Sequence, residues 1–194
     1  MSAEASVDLR LTPVQRQRRQ RIIDSAVALA AEGGYEAVQM REVAARSGVA
    51  LGTLYRYFSS KEHLLVAAMA DRVAGLRRRL AERPPRGDDA AERVMDVIRR
   101  ATRALQREPD VTAAMLKSLI SSGGSVAESI EPIGDQMTGI VAGAMARGPQ
   151  DREVAEVIQH VWLAALLWWV AGLAPERRVE ESVARAVRLL LPDR

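Results

Sequence analysis

Between Val43 and Lys61 the sequence runs VAARSGVALGTLYRYFSSK, and Thr53, Tyr55, Arg56, Tyr57 and Lys61 place hydrogen-bond donors along it. Hydroxyls and cations suit phosphate oxygens, and an arginine suits either a phosphate or a guanine edge. Leu51 and Gly52 keep the neighbouring surface low, so a helix carrying these groups can approach closely. Val43, Ala44, Val49 and Leu54 face inward, and Gly48 can adopt the positive φ that ends a first short helix. Two short helices joined by such a turn form a helix-turn-helix, whose second helix enters a major groove of DNA. Lys61 opens the next helix, where the positive dipole end favours a phosphate. Met40 and Arg41, at the start of the first short helix, complete the candidate contact set. Arg16 and Arg19, with Arg18 and Arg21 beside them, suit the backbone or an adjacent minor groove; a solvated helix face is the plainer alternative.

The elements that must position these groups are helices throughout. Gly and Pro cluster at a few points, and no hairpin signal or sustained alternation appears. Residues 1–12 read as a flexible tail. Helices are expected over about 13–32, 40–47, 51–57, 61–83, 88–107, 109–121, 126–147, 150–172 and 175–191. Gly33-Gly34 stops the first, and Ser59 or Ser60 caps the fourth. Pro132 implies a kink or a late start. The fold class is therefore all-α, with about nine helices. A three-helix DNA-binding domain (13–60) precedes a helical ligand-binding and dimerisation bundle (61–194), with helix 61–83 connecting the two.

The charge follows the same division. Arg10–Lys61 holds nine Arg/Lys against four Asp/Glu, whereas residues 62–194 hold nineteen of each. The formal net charge of +3 is thus a basic N-terminal part attached to a neutral body. With no cysteine and only His63 and His160 as histidines, thiolate chemistry and histidine-rich metal sites are excluded. No nucleophile–base pair or phosphate loop stands out, so no enzyme, cofactor, metal or catalytic residue is expected. The longest uncharged apolar stretch, Val161–Ala174, has 14 residues. A bilayer needs about 20, and no signal-peptide pattern is seen, so a buried helix and a cytoplasmic location are expected, without a membrane partner.

The pattern Gly48-Val49, Gly52-Thr53-Leu54-Tyr55, an aromatic pair and Lys61 resembles the DNA-binding motif of the TetR family of transcriptional regulators. Ala50 stands where that family usually has a serine, which removes a side-chain cap, and Tyr57 replaces the more usual histidine. The segments at 33–41, 49–58 and 63–66 resemble the KstR-type repressors of sterol catabolism in actinobacteria, and a weaker similarity continues to 186–191. That resemblance implies a homodimer on a palindromic operator of double-stranded DNA. It also implies repression of lipid or sterol degradation genes, released by a CoA thioester. A family member serving efflux or another pathway and answering a different hydrophobic molecule is the alternative, as is a DNA binder with no small ligand.

Within the bundle, Met95, Ile98, Met115, Leu119, Met137, Ile140, Val141, His160, Leu163 and Trp169 are candidates to line an effector pocket; ordinary core packing is the competing reading. The last two helices carry apolar residues on more than one face. Val157, Val161, Ala164, Ala165 and Trp168 form one candidate dimer stripe, and Val183, Ala186, Val187 and Leu190 another.

Overall fold

The computed structural model describes residues 11–121 and 126–192, which form nine helices and no strand. Most of the expected tail, Arg10 included, and the Gly/Ser loop after Ser121 lie outside the described residues. The helices are α1 (Pro13–Ala37), α2 (Met40–Ser47), α3 (Leu51–Tyr57), α4 (Lys61–Glu82), α5 (Ala90–Gln106), α6 (Pro109–Ser121), α7 (Ala127–Met145), α8 (Asp151–Val170) and α9 (Arg177–Leu190).

Local chemistry sets most of the ends. Thr12, assigned to the tail by its sequence position, caps α1: Gln15 N–H donates to Thr12 Oγ1 at 3.3 Å and Thr12 N–H to Gln15 Oε1 at 2.8 Å. This reciprocal pair is a capping box, completed by Pro13 in the first turn. Gly33-Gly34 bends α1 instead of ending it. Gly34 takes φ 65°, ψ −158°, and one further turn carries the helix to Ala37. Asp89 caps α5, accepting from Glu92 N–H at 2.8 Å. Pro132 lies in the second turn of α7, and the helix runs through it.

Packing divides the chain into two compact units that do not follow the expected boundary after residue 60. The first comprises the described parts of Met1–Arg72 and Glu108–Ile133; the second comprises Val73–Arg107 and Gly134–Arg194. The reason lies in α6. Its buried residues Val111, Ala114, Met115 and Leu116 need an apolar partner, and α1 supplies it through the most extensive helix contact of the first unit. Met115 and Leu119 therefore belong to the first unit, and the other candidate pocket residues belong to the second.

The second unit is held by α8 and α9, and by α9 on α5. Val179, Val183, Val187 and Leu191 recur every fourth residue and are buried, so one face of α9 is sealed inside the protomer. This corrects the assignment of Val183 and Val187 to a dimer surface. Ala186 and Leu190 are half-buried beside them, and Leu189 is 79% exposed. On α8, Ala155, Ile158, Trp162 and Leu166 point inward, while Val157, Ala164 and Trp168 are exposed and Val161 and Ala165 half-buried. By length and composition α8 is apolar enough to cross a membrane, but its buried face is that of a packing helix.

Specific polar contacts link the helices of this unit. Arg93 donates from Nε to Ala144 O at 2.9 Å and from Nη2 to Met145 O at 3.1 Å, which closes the C-terminal turn of α7. Arg99 pairs with Glu180 at 2.7 Å. Trp162 Nε1 donates to Thr102 Oγ1 at 2.9 Å in the buried interior.

That last bond gives a test. Trp162→Phe leaves a buried hydroxyl without its donor and is expected to cost about 1–3 kcal/mol in chemical denaturation. Adding Thr102→Val removes the stranded hydroxyl and is expected to restore part of the loss. Strictly additive losses would show that the bond does not couple the two residues.

Candidate nucleic-acid interface

The turn between α2 and α3 is built by the backbone. Ser47 Oγ donates to Val43 O at 2.7 Å as α2 ends. Gly48 then takes φ 68°, ψ 34°, a left-handed conformation that a side chain would strain. Its N–H donates to Ala45 O at 3.2 Å, and Val49 N–H to Ala44 O at 3.1 Å, which satisfies carbonyls at the end of α2. Ala50 makes no side-chain cap, and α3 starts on its carbonyl, which accepts from Thr53 and Leu54 N–H at 2.8 and 3.1 Å. Leu54 and Phe58 are fully buried, and they fix the rotation of α3 together with Val43 and Ala44.

That rotation turns the predicted groups outward. Gly52, Tyr55 and Arg56 are exposed, with Tyr55 at 50%; Leu51, Thr53 and Tyr57 are half-buried beside them. A Cβ built on Gly52 meets no atom within 4 Å, so packing within the chain does not require a glycine there. Arg41 is exposed and Met40 half-buried at the start of α2. Thr53, Arg56 and Tyr57 of α3 line an open cleft with Leu11, Gln15, Arg18 and Arg19. Leu11 and Gln15 lie outside the contact set that the sequence suggests, whereas Arg18 belongs to its basic cluster. The sequence signal that would have brought the start of α1 here is the Thr12-x-x-Gln15 capping box.

Arg19 turns out to serve the interior. Its guanidinium carbon sits 5.4 Å from the Phe58 ring centroid, and it pairs with Asp71 at 4.0 Å with its side chain only 15% exposed. It braces α1 against Phe58 and α4 while also lining the open cleft. Arg16 is exposed, with Nη1 donating to Leu11 O at 2.8 Å.

At the start of α4, Ser60 is the cap: His63 N–H donates to Ser60 Oγ at 3.2 Å. His63 Nδ1 accepts Ser59 N–H at 3.3 Å, and the ring meets Phe58 edge-on at 5.5 Å. Burial, then the Arg19 charge, lowers the His63 pKa below its ordinary value. Lys61 Nζ lies 3.8 Å from the Tyr35 ring centroid and 3.9 Å from Glu36 Oε2. Tyr35 donates to Glu62 Oε1 at 2.5 Å, and burial and this bond push its pKa up to about 12, which keeps it a donor. Burial pushes the Glu62 carboxyl up, but the Tyr35 bond and backbone bonding outweigh it and hold it low.

The candidate effector residues fall in both units. Met95, Ile98, Met137 and Val141 are buried in the core of the second unit, and Ile140, Leu163 and Trp169 are half-buried there. Met115 and Leu119 lie in the first unit. His160 is exposed, which corrects the core-packing reading for it: on α8 it falls between the buried positions Ile158 and Trp162, on the opposite face. Among the described residues no group of three His, Cys, Asp or Glu is placed to hold a metal ion.

Residues 22–68 match the description "Bacterial regulatory proteins, tetR family", and residues 87–190 match "Tetracyclin repressor-like, C-terminal domain". The chain is 41% identical over 182 residues to the HTH-type transcriptional repressor KstR of Rhodococcus jostii (strain RHA1), covering 92% of this chain and 85% of the relative. The crystal structure of a TetR transcriptional regulator from Rhodococcus sp. RHA1 superposes with a TM-score of 0.83 at 31% identity, over 92% of this chain and 98% of that one. Thermus thermophilus FadR, a transcriptional repressor solved in complex with lauroyl-CoA, superposes with a TM-score of 0.69 at 25% identity, over 89% and 93%.

The His63 geometry predicts a pH dependence. The unfolded histidine titrates near 6.5, whereas the native one takes its proton only at lower pH. Between the two values the unfolded state binds more protons, so this stabilisation is complete above about 6.5 and is lost as pH falls below it. His63→Asn keeps an acceptor for Ser59 N–H without titrating. Thermal midpoints measured from pH 7 to 5 are expected to fall less in the variant than in the wild type; identical profiles would contradict the assignment.

Proposed function

The chain belongs to the TetR family of bacterial transcriptional regulators, and from that membership we propose that it is a ligand-responsive repressor that binds a palindromic operator as a homodimer. The observation that carries the reading is the outward face of α3. Tyr55 and Arg56 are exposed on it, and among the described residues nothing packs where a side chain on Gly52 would sit.

In this reading Gly52 lets α3 sit deep in the major groove. Tyr55, Arg56 and Leu51 face base edges, while Thr53, Tyr57, Arg16, Arg18, Arg41 and Lys61 meet the phosphate backbone, with Met40 in contact beside Arg41. A twofold dimer presents two such helices about 34 Å apart, one helical turn, which calls for a palindromic site. The partner surface is Val157, Val161, Ala164, Ala165 and Trp168 of α8 with Ala186 and Leu190 of α9, where Trp168 is 60% exposed in the single chain. Burying such a face on a second copy stabilises by about 25 cal/mol per Å² of apolar surface removed from water.

The regulated genes serve lipid or sterol catabolism, and the effector is a CoA thioester. Support comes from similarity to a KstR repressor and to a FadR solved with lauroyl-CoA. The effector acts by preferring a conformation whose α3 helices no longer match the operator spacing. Domain roles follow: residues 13–60, with Lys61 at the start of α4, read DNA, and the rest of the bundle binds effector and partner, with the buried Met95, Ile98, Met137 and Val141 among the residues that yield to the ligand. The protein works in the cytoplasm and performs no catalysis.

A mobility-shift assay with the protein's own upstream DNA tests this. Binding at low salt is expected, with affinity falling steeply as salt rises. Fatty or steroid acyl-CoAs are expected to weaken it at least fivefold. No shift at low salt sinks the DNA reading, and indifference to every acyl-CoA removes the effector class. Gly52→Val is expected to lower operator affinity by roughly tenfold or more without lowering the thermal midpoint. Full affinity in that variant would mean that α3 does not enter the groove.

A further inference from the structure

We propose that Glu36 and Lys117 are positioning residues for Lys61: Lys117 occupies the Glu36 carboxylate and so leaves Lys61 available to a DNA phosphate. The inference rests on the reading that Lys61 meets the operator backbone.

Of 28 basic residues only two are lysines, Lys61 on α4 and Lys117 on α6, and they converge on one ring. Their Nζ atoms lie 3.8 and 4.7 Å from the Tyr35 centroid. They also share one carboxylate. Lys117 Nζ donates to Glu36 Oε1 at 2.7 Å, whereas Lys61 stands 3.9 Å from Glu36 Oε2. The close bond is thus made to Lys117, and Lys61 keeps the looser approach. Glu36 cannot pair closely with both ammonium groups at once, and Glu62, the other carboxylate beside Lys61, is engaged by the Tyr35 hydroxyl. The bracket is fixed by its surroundings. The Gly33-Gly34 bend brings Tyr35 and Glu36 round, and the Tyr35 hydroxyl is tied to Glu62, next to Lys61.

Glu36 has a side chain 74% exposed, so neither pair adds much to stability. What the pairing controls is competition. Withdraw Lys117, by mutation or by a displacement of α6 against α1, and Glu36 has only Lys61 to pair with. A phosphate must then displace a carboxylate from Lys61.

The test is a mutant cycle on binding to the protein's own promoter DNA, with thermal midpoints as a folding control. Lys117→Met is expected to lower affinity roughly threefold or more and to flatten the salt slope by about 0.9 for each half-site. Lys117→Arg is expected to restore both. In a Glu36→Gln background, and again in a Lys61→Met background, Lys117→Met is expected to change little. If Lys117→Met costs the same in all three backgrounds, the charges act additively from a distance and the positioning role is overturned. If the wild type binds no DNA at low salt, the underlying reading fails and this proposal with it.

Discussion

The apolar stripe of α1 has to be buried, and the first unit is organised around that requirement. Ile22, Ile23, Ala26, Leu29 and Ala30 are sealed from solvent, and each large side chain among them contributes about 1.5–3 kcal/mol by leaving water. The ion pairs around them are mostly exposed and worth at most about 1 kcal/mol each. Apolar burial therefore decides which helices join α1, and charges decide only how the rim is arranged. α6 is drawn into this unit for that reason, although in sequence it lies among the helices of the second.

Once α1 is covered, the orientation of α3 follows from two buried side chains and one turn. Leu54 and Phe58 fill the inside, and Gly48 supplies the left-handed step that no β-branched residue would tolerate. The outward face is what remains, and it holds the hydroxyls and the arginine. Arg19 shows the converse. It has the charge of a DNA contact and lines the cleft, and stacking on Phe58 and pairing with Asp71 also tie it to the fold. An arginine's stem and planar head allow either use, so type and spacing cannot separate them.

The second unit repeats the contrast. Val183 and Val187 look like interface residues because α9 is apolar on two faces, yet a stripe at every fourth position seals them inside the protomer. The complementary face of α8, with Val157 and Trp168, is exposed in the single chain. Sequence periodicity shows that an amphipathic helix has more than one apolar face; it does not say which face finds a partner in its own chain.

What the sequence determined is local. Helix starts at Pro13 and Asp89, the Gly48 turn, the outward donors of α3 and the basic bias of the N-terminal part all follow from side-chain chemistry within a few residues of each position. Where Thr12 and the Gly33-Gly34 pair differ from expectation, the signals were present as a capping box and a glycine bend. Only the tertiary structure decided which distant elements meet: α6 on α1, Val183 and Val187 facing inward, His160 facing outward, and Lys117 beside Lys61 on the Tyr35 ring. Positions 35, 61 and 117 share no periodicity, because their meeting depends on three helix axes set by burial elsewhere.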